Sequence, residues 1–290
     1  MTSMELIKKL RDSTGSGIVD CKKALTENNN DIELAIKWLR EKGILKAQKK
    51  QDRETNEGVV SFYNKTSNTE FTVCKIKCET DFVAKNNDFL DFAETISKAI
   101  HLNKNISDNG SDQDLADLSI NDTSYNDYLT DLISKIGENI NVVSYKKYYS
   151  ENSFFISYLH NKYNSSCSKI GSVVEISSNN KDHALKLVDE LRVIAMQVSA
   201  MKPMGIDENS INSKILDDEK DIILKQMNNV PDDKKDQIIQ GKLNKFIKEN
   251  TLLGQPLITD PKKSVSSFLS EISKNNNISL NIISMDLYTI

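Results

Sequence analysis

VVSFYNKTSNTEFTVCKIKCETDFVAKNNDFLDFAETISKAI, residues 59–100, changes its period part-way along. Val59–Tyr63 and Glu70–Cys78 are rich in β-branched and aromatic residues, and the polar NKTSNT between them reads as a turn, so the pair predicts a hairpin. Beyond it the apolar residues fall at Phe89, Phe92, Ile96 and Ile100, the spacing of one helix face. The same order recurs downstream. Phe154–His160 and Ile170–Ser177 read as a second strand pair. Ala184, Leu187, Val188, Leu191, Ile194, Ala195 and Val198 then mark the inner face of a long helix, which Pro203 ends. The two units barely match in sequence, so the repeat is one of architecture. It predicts an α+β chain with two core subdomains, each an antiparallel sheet covered by helix.

Upstream, residues 1–43 read as a three-helix module. Thr2 and Glu5 have capping-box spacing, and Leu6, Ile7 and Leu10 stripe the first helix before Gly15 and Gly17 break it. Ile18, Cys21 and Leu25 are expected to face inward from the second helix. Asp31 opens the third, Ile32, Ala35, Ile36 and Leu39 line it, and Gly43 is expected to stop it. Residues 44–57 are charged and polar and read as a linker, helical in part. One subdomain is expected at 58–150, with a surface excursion at 103–123, a helix from Tyr125 to Glu138 and a strand from Ile140 to Tyr149. The other is expected at 151–212 and 251–290, closing with a helix near 264–274 and a strand at 279–288. Between its parts, 213–250 carries two amphipathic stretches. Ile215, Ile222, Ile223 and Met227 mark one; Ile238, Ile239, Leu243, Phe246 and Ile247 mark the other. With Pro231 in the turn, they predict an antiparallel coiled-coil hairpin.

The chain has 290 residues, enough for more than one module, and a formal net charge of −4. An acidic balance speaks against a dedicated nucleic-acid binder, which must neutralise phosphates. No run of apolar residues is long enough to span a membrane, and MTSMELIKKL lacks the features of a signal peptide, so the expectation is a cytoplasmic protein. Four cysteines, at 21, 74, 78 and 167, read as reduced structural thiols, with Cys74 and Cys78 on one face of a strand. Metal chemistry would need two more ligands at usual spacing, and these are missing. No phosphate loop, dinucleotide glycine motif or zinc-protease motif occurs. His101, His160 and His183 lie far apart in sequence, which leaves a Cys–His pair formed in space as an open alternative. The balance favours a binding protein over an enzyme.

One corner stands out. The strand ending at Cys78 runs through Glu79 into Thr80-Asp81-Phe82-Val83-Ala84-Lys85-Asn86. Aromatic side chains usually bury, so the residues alone favour Phe82 in the core, with Thr80 or Asp81 capping a turn. The alternative is an exposed anchor for a partner's pocket, with Asp81 beside it supplying negative charge.

Resemblance to a known family bears on that choice. LRDSTGSGIVDCKKALTENNNDIELAIKWLREKG at 10–43, CETDFVAKN at 78–86, KIGENI at 135–140, SYLH at 157–160, KIGSVV at 169–174, IAMQVSAMKP at 194–203, and GKLNKF with LLGQPLITDP within 241–261 resemble, in order, the elongation factor Ts family. The resemblance covers nearly the whole chain. It implies a guanine-nucleotide exchange factor, not an enzyme and without a cofactor, whose partner is the GDP-bound GTPase elongation factor Tu. It also implies a ubiquitin-associated (UBA)-like first module, and assigns Thr80, Asp81, Phe82 and Val83 to an element that dislocates magnesium from the partner. Further contacts are implied for Leu10, Ile18, Val19 and Lys22 in the first module, for Ile136 and Gly137, and for His160. The surface around Ile194–Met201 would hold the partner's other end. No membrane or direct nucleic-acid contact is implied, and self-association is left open. The chain departs from the family at NKYNSSCSK (161–169), where relatives usually turn tightly, and at Ile18 and Val19, where relatives often carry methionine at one or both positions. Residues 103–123 match no family signature, and no further helical module is expected after Ile290. Two rival readings stay in play: a module that binds without accelerating release, and, more distantly, a thiol enzyme.

Overall fold

Residues 3–64, 68–226 and 232–290 are described in a computed structural model of the chain. Thr2 of the expected capping box, Met227 and the turn at Pro231 lie outside the described residues.

The chain opens with α1 (Ser3–Thr14), α2 (Ile18–Glu27) and α3 (Ile32–Gln48). Asp31 caps α3 by accepting the Leu34 N–H at 3.0 Å. Ile7, Leu10, Cys21, Ala24, Leu25, Ala35 and Leu39 form one small core. Two residues expected inside are outside: Ile18 is 56% exposed and Ile36 37%. Ile18 is the first residue of α2, past the edge of the bundle, and Cys21 and Leu25 already occupy the i, i+4 seam. On α3 that seam belongs to Ala35 and Leu39, and Ile36 lies about 100° further round.

Gly43 does not stop α3, which runs five residues further, to Gln48. The glycine serves close approach instead. A Cβ at 43 would stand 2.6 Å from the Ser134 hydroxyl on a helix packed across it, and that hydroxyl is buried with no hydrogen-bond partner among the described residues. Ala47, one helical turn on, packs into the main core, so the helical start of 44–57 is anchored there. One prediction follows. Gly43→Ala combined with Ser134→Ala removes both the clash and the unsatisfied hydroxyl while restoring a good helix former. The pair should stabilise the protein by about 1 kcal/mol, read as a raised thermal midpoint. A lowered midpoint would show that the glycine does more than clear space.

β1 (Glu57–Asn64) and β2 (Glu70–Cys78) pair antiparallel. The short helix α4 (Asp81–Ala84) and then α5 (Asn87–Leu102) follow, and Phe89, Phe92, Ile96 and Ile100 are buried as expected. Residues 103–123 are more than a surface excursion. They contain β3 (Asn109–Gly110), a 3-10 turn, β4 (Ser119–Ile120) and β5 (Thr123–Ser124), and they bury Leu115, Leu118 and Ile120 in the main core. The Asp112 carboxylate, pushed up by burial, accepts from the Tyr125 hydroxyl and from the Val142 N–H at 2.8 Å. Apolar residues so thinly spread among many Asn, Asp and Ser gave too weak a periodic signal to be read.

Next come α6 (Tyr125–Ile136), β6 (Ile140–Tyr149), β7 (Ser153–Lys162) and β8 (Cys167–Ser178). The expected long helix is broken into α7 (Lys181–Leu185) and α8 (Val188–Met201), and α8 ends on Lys202 in a left-handed conformation before Pro203. Then follow α9 (Ser213–Lys225), α10 (Asp232–Asn250), β9 (Pro256–Leu257), β10 (Asp260–Ser264), α11 (Val265–Asn276) and β11 (Leu280–Thr289). Ile223 on α9 meets Ile239 and Leu243 on α10 in a satellite cluster.

The two strand–strand–helix units share a single sheet. Its order is β11-β8-β1-β2-β6-β3, with β7 on the other side of β8. The units join where Val60 and Ser61 pair with Ser168 and Cys167. Helices cover it over two apolar clusters, one around α5 and α6 and one around α8 and α11. A third cluster holds Phe71, Tyr148 and Phe155. There β6 and β11, far apart in strand order, meet through side chains: Tyr148 donates to Asp286 at 2.6 Å, and Lys146 reaches the same carboxylate at 2.8 Å. The sheet is therefore curled on itself. Among the described residues no helix is long and apolar enough to cross a membrane.

Candidate functional site

Phe82 is 82% exposed, the most exposed large apolar side chain among the described residues. Its neighbours explain how it is held there. Val83 and Ala84 are buried in the main core, so the one-turn helix α4 is anchored on one side and its ring projects from the other. Thr80 caps that turn, its hydroxyl oxygen accepting the Val83 N–H at 3.4 Å. The Lys85 ammonium bonds Asp81 at 2.8 Å and holds its carboxyl below the usual carboxylate range. Asp81 is thus a fixed anion one residue from the ring. From the residues alone the core was the favoured position for Phe82; the structure has it outside.

The corner is braced from a second corner. Glu138, just after α6, accepts the N–H groups of Glu79 and Thr80 at 3.1 and 3.0 Å and the Thr80 hydroxyl at 2.6 Å. Glu79 returns the contact, accepting the Asn139 N–H at 2.6 Å. Each glutamate satisfies backbone donors of the other's turn. The Asn139 side-chain amide donates to the Gln51 and Arg53 carbonyls at 3.2 and 2.9 Å, and so ties in the segment leaving α3. Glu79, Glu138 and Asn139 were not singled out as site residues. KIGENI contains two of them, but nothing in a sequence says whose N–H groups a carboxylate will accept.

Ile136 and Gly137 sit on that second corner. Ile136 is half-buried against the main core, and Gly137 is exposed and takes φ +90°, the left-handed turn that ends α6. The N-terminal module reaches the same place: a Cβ on Gly15 would meet the Lys135 side chain at 3.2 Å, and Lys135 pairs with Asp88 at the start of α5 at 2.7 Å. Beyond Gly17, Val19 is 80% exposed, and Lys22 is exposed with it. Thus the Thr80–Val83 and Ile136–Gly137 corners are linked by direct hydrogen bonds, and the loop between α1 and α2 approaches the second of them at Lys135.

Two residues fit less well. Leu10 is fully buried in the three-helix core. Its side chain is unavailable to a partner, which corrects the expectation of a contact there; it shapes the module from within. His160 stands exposed on β7, opposite Ile170, with the Tyr158 hydroxyl 3.4 Å from its Nδ1. It lies outside the braced corners. The 161–169 segment beside it is a hairpin end that stitches the sheet: Asn164 donates to Glu94 at 2.8 Å, and the Ser166 carbonyl accepts the Phe62 N–H at 2.8 Å.

The site offers apolar surface, backbone and the exposed carboxylate of Asp81. All four cysteines are buried and unpaired. Burial pushes Cys74, Cys78 and Cys167 up to about 12 and raises Cys21 as well. Thiolate is the reactive form, so native protein at pH 8 should show no fast phase with Ellman's reagent. All four thiols should titrate once the fold is lost in guanidinium. A fast native thiol would revive the thiol-enzyme reading. Among the described residues no group of three or more His, Cys, Asp or Glu could hold a metal ion.

Comparison with known proteins gives a consistent answer. A family model described as Elongation factor TS matches residues 79–290, and one described as Elongation factor Ts, mitochondrial, N-terminal matches residues 1–50. The chain is 37% identical over 285 residues to Elongation factor Ts of Nitratiruptor sp., covering 97% of this chain and 90% of that one. It is 38% identical to Elongation factor Ts of Aquifex aeolicus, covering 95% and 94%. To Elongation factor Ts of Clostridium perfringens it is 35% identical, covering 94% and 88%.

Proposed function

The chain belongs to the elongation factor Ts family, a family of translation elongation factors, and from that premise we propose that it releases GDP from the GTPase elongation factor Tu. The observation that carries the reading is an aromatic ring held outside its own core on a braced corner. Phe82 is the wedge: it enters an apolar pocket of the partner beside the magnesium and phosphate site, and Asp81 adds negative charge. Thr80 and Val83 fix the wedge rather than touch the partner's metal. Ile136, Gly137, Ile18, Val19 and Lys22 widen the contact around it, and His160 extends it along β7. The three-helix module of 1–43 is the docking unit on the partner's nucleotide domain, and α9 and α10 act as the two arms of a coiled-coil insertion in the second half of the core.

Linkage supplies the mechanism. A protein that binds better when the partner's metal loop is displaced weakens the bound nucleotide, and the nucleotide weakens its grip by the same factor. No covalent bond changes, so the chain is not an enzyme and needs no cofactor; cellular GTP then refills the emptied site. The work belongs in the cytoplasm, where translation runs.

Stopped-flow fluorescence tests this. Elongation factor Tu loaded with fluorescent GDP is mixed with excess unlabelled GDP and substoichiometric amounts of this chain. Multiple turnovers of accelerated release are expected. Binding at the spontaneous release rate would instead identify a docking module without exchange activity.

A further inference from the structure

Away from the braced corners, a cleft of about 730 Å³ opens between α5 and α8. Its lining includes Lys98 from α5, Lys162 from β7 and Arg192 from α8, with Glu94 the one carboxylate. Glu94 is already committed to Asn164 and Ser166. Among the described residues Lys98 and Lys162 have no ion-pair partner, and Arg192 pairs only with Asp189, whose side chain is 93% exposed. In a chain of net charge −4 this gathers three cations around one hydrogen-bonded anion.

One wall of the cleft is a strand edge. Among the described residues β7 pairs only with β8. At Phe155 its N–H points away from β8 and is taken by the Asn68 carbonyl at 2.6 Å. Strand geometry repeats every second residue, so the N–H and C=O groups of Ser157 and Leu159 point the same way. Both residues line the cleft, and among the described residues no strand covers that edge. An exposed edge offers alternating donors and acceptors to an incoming strand. Phe62 and Val188 supply apolar surface beside it.

We infer that this cleft takes an extended acidic peptide segment of a partner protein, added as a strand to the free edge of β7 and neutralised by Lys98, Lys162 and Arg192. Charge sets the sign of the occupant, and the unpaired backbone sets its conformation. Single-stranded RNA would satisfy the cations but not the row of peptide donors and acceptors. The inference makes no use of the exchange reading, and either can fail without the other.

The probe is a fluorescein-labelled decapeptide of alternating Glu and Val, titrated with the full chain and followed by anisotropy. Controls are the Lys-Val analogue, the Glu-Val peptide N-methylated at every second residue, and a labelled uridine decamer. Binding of the Glu-Val peptide should weaken about ten-fold or more when Lys98, Lys162 and Arg192 are all changed to glutamate, and should fall as salt rises. N-methylation should cost at least as much, because it removes the N–H groups on one edge. The amides of Ser157 and Leu159 should gain exchange protection with the peptide bound. If the triple variant loses its fold, as judged by near-ultraviolet circular dichroism, Lys162→Glu alone serves, with a smaller loss. Equal affinity for acidic and basic peptides, indifference to N-methylation, or tighter binding of the uridine decamer would each overturn the inference.

Discussion

Phe82→Ala should lower the rate of GDP release from elongation factor Tu by about thirty-fold, with the fold of the factor intact. The magnitude is that of a central aromatic anchor, worth roughly 2 kcal/mol or more at an interface, with each 1.4 kcal/mol a factor of ten. The intact fold follows from exposure. At 82% exposed the ring has little core contact to lose, and surface substitutions of this kind usually fall within about 0.5 kcal/mol. Thermal melting and nucleotide release must therefore separate: the midpoint stays and the plateau rate falls. Saturating the assay with variant protein should not recover the rate, because a wedge that is missing from the displaced state cannot be replaced by occupancy. Equal plateau rates would remove Phe82 from the mechanism even if both proteins bound. Asp81→Asn should have a smaller effect, since its carboxylate is exposed and already paired with Lys85.

Element types were legible because they rest on local periodicity. The strand at 140–149 and the inner face of α5 could be read from one sequence. What stayed hidden depended on neighbours distant in sequence. Gly43 reads as a helix stop until Ser134, ninety-one residues on, is seen to need its missing Cβ. Ile18 has the right spacing for the core and fails because it begins a helix at the bundle's edge. The two strand–strand–helix units look separable until Val60 and Ser61 pair with Ser168 and Cys167. For the site, the resemblance pointed to the Thr80–Val83 corner, yet Phe82 could not be oriented from hydrophobicity, because burial and exposure of an aromatic ring share one local pattern. Leu10 was misassigned for the converse reason: a motif position shows which residues recur, not which face solvent.

Glu138 leads to the second large effect. Its carboxylate accepts three hydrogen bonds from the turn that carries Phe82, against the single reciprocal bond from the Asn139 N–H to Glu79. Glu138→Ala leaves the Glu79 and Thr80 N–H groups and the Thr80 hydroxyl without those acceptors. Losses of this kind cost about 1–3 kcal/mol, partly recovered by water at a half-buried site. The penalty is local, so the turn loosens before the molecule unfolds. A looser turn presents the ring correctly for only a fraction of the time, and apparent affinity falls by that fraction. The variant should therefore need about ten-fold more protein to reach half-maximal release of GDP, while its plateau stays near that of the parent. Phe82→Ala predicts the opposite split, a lost plateau. Amide exchange at Thr80 and Val83 should accelerate in the free Glu138→Ala protein, a readout that needs no partner. Glu138→Gln should fall between, since its amide keeps one acceptor oxygen and turns two donors toward a turn already rich in donors. Unchanged half-saturation together with faster amide exchange would mean that the partner itself reorders the turn, and that the brace serves the free protein alone.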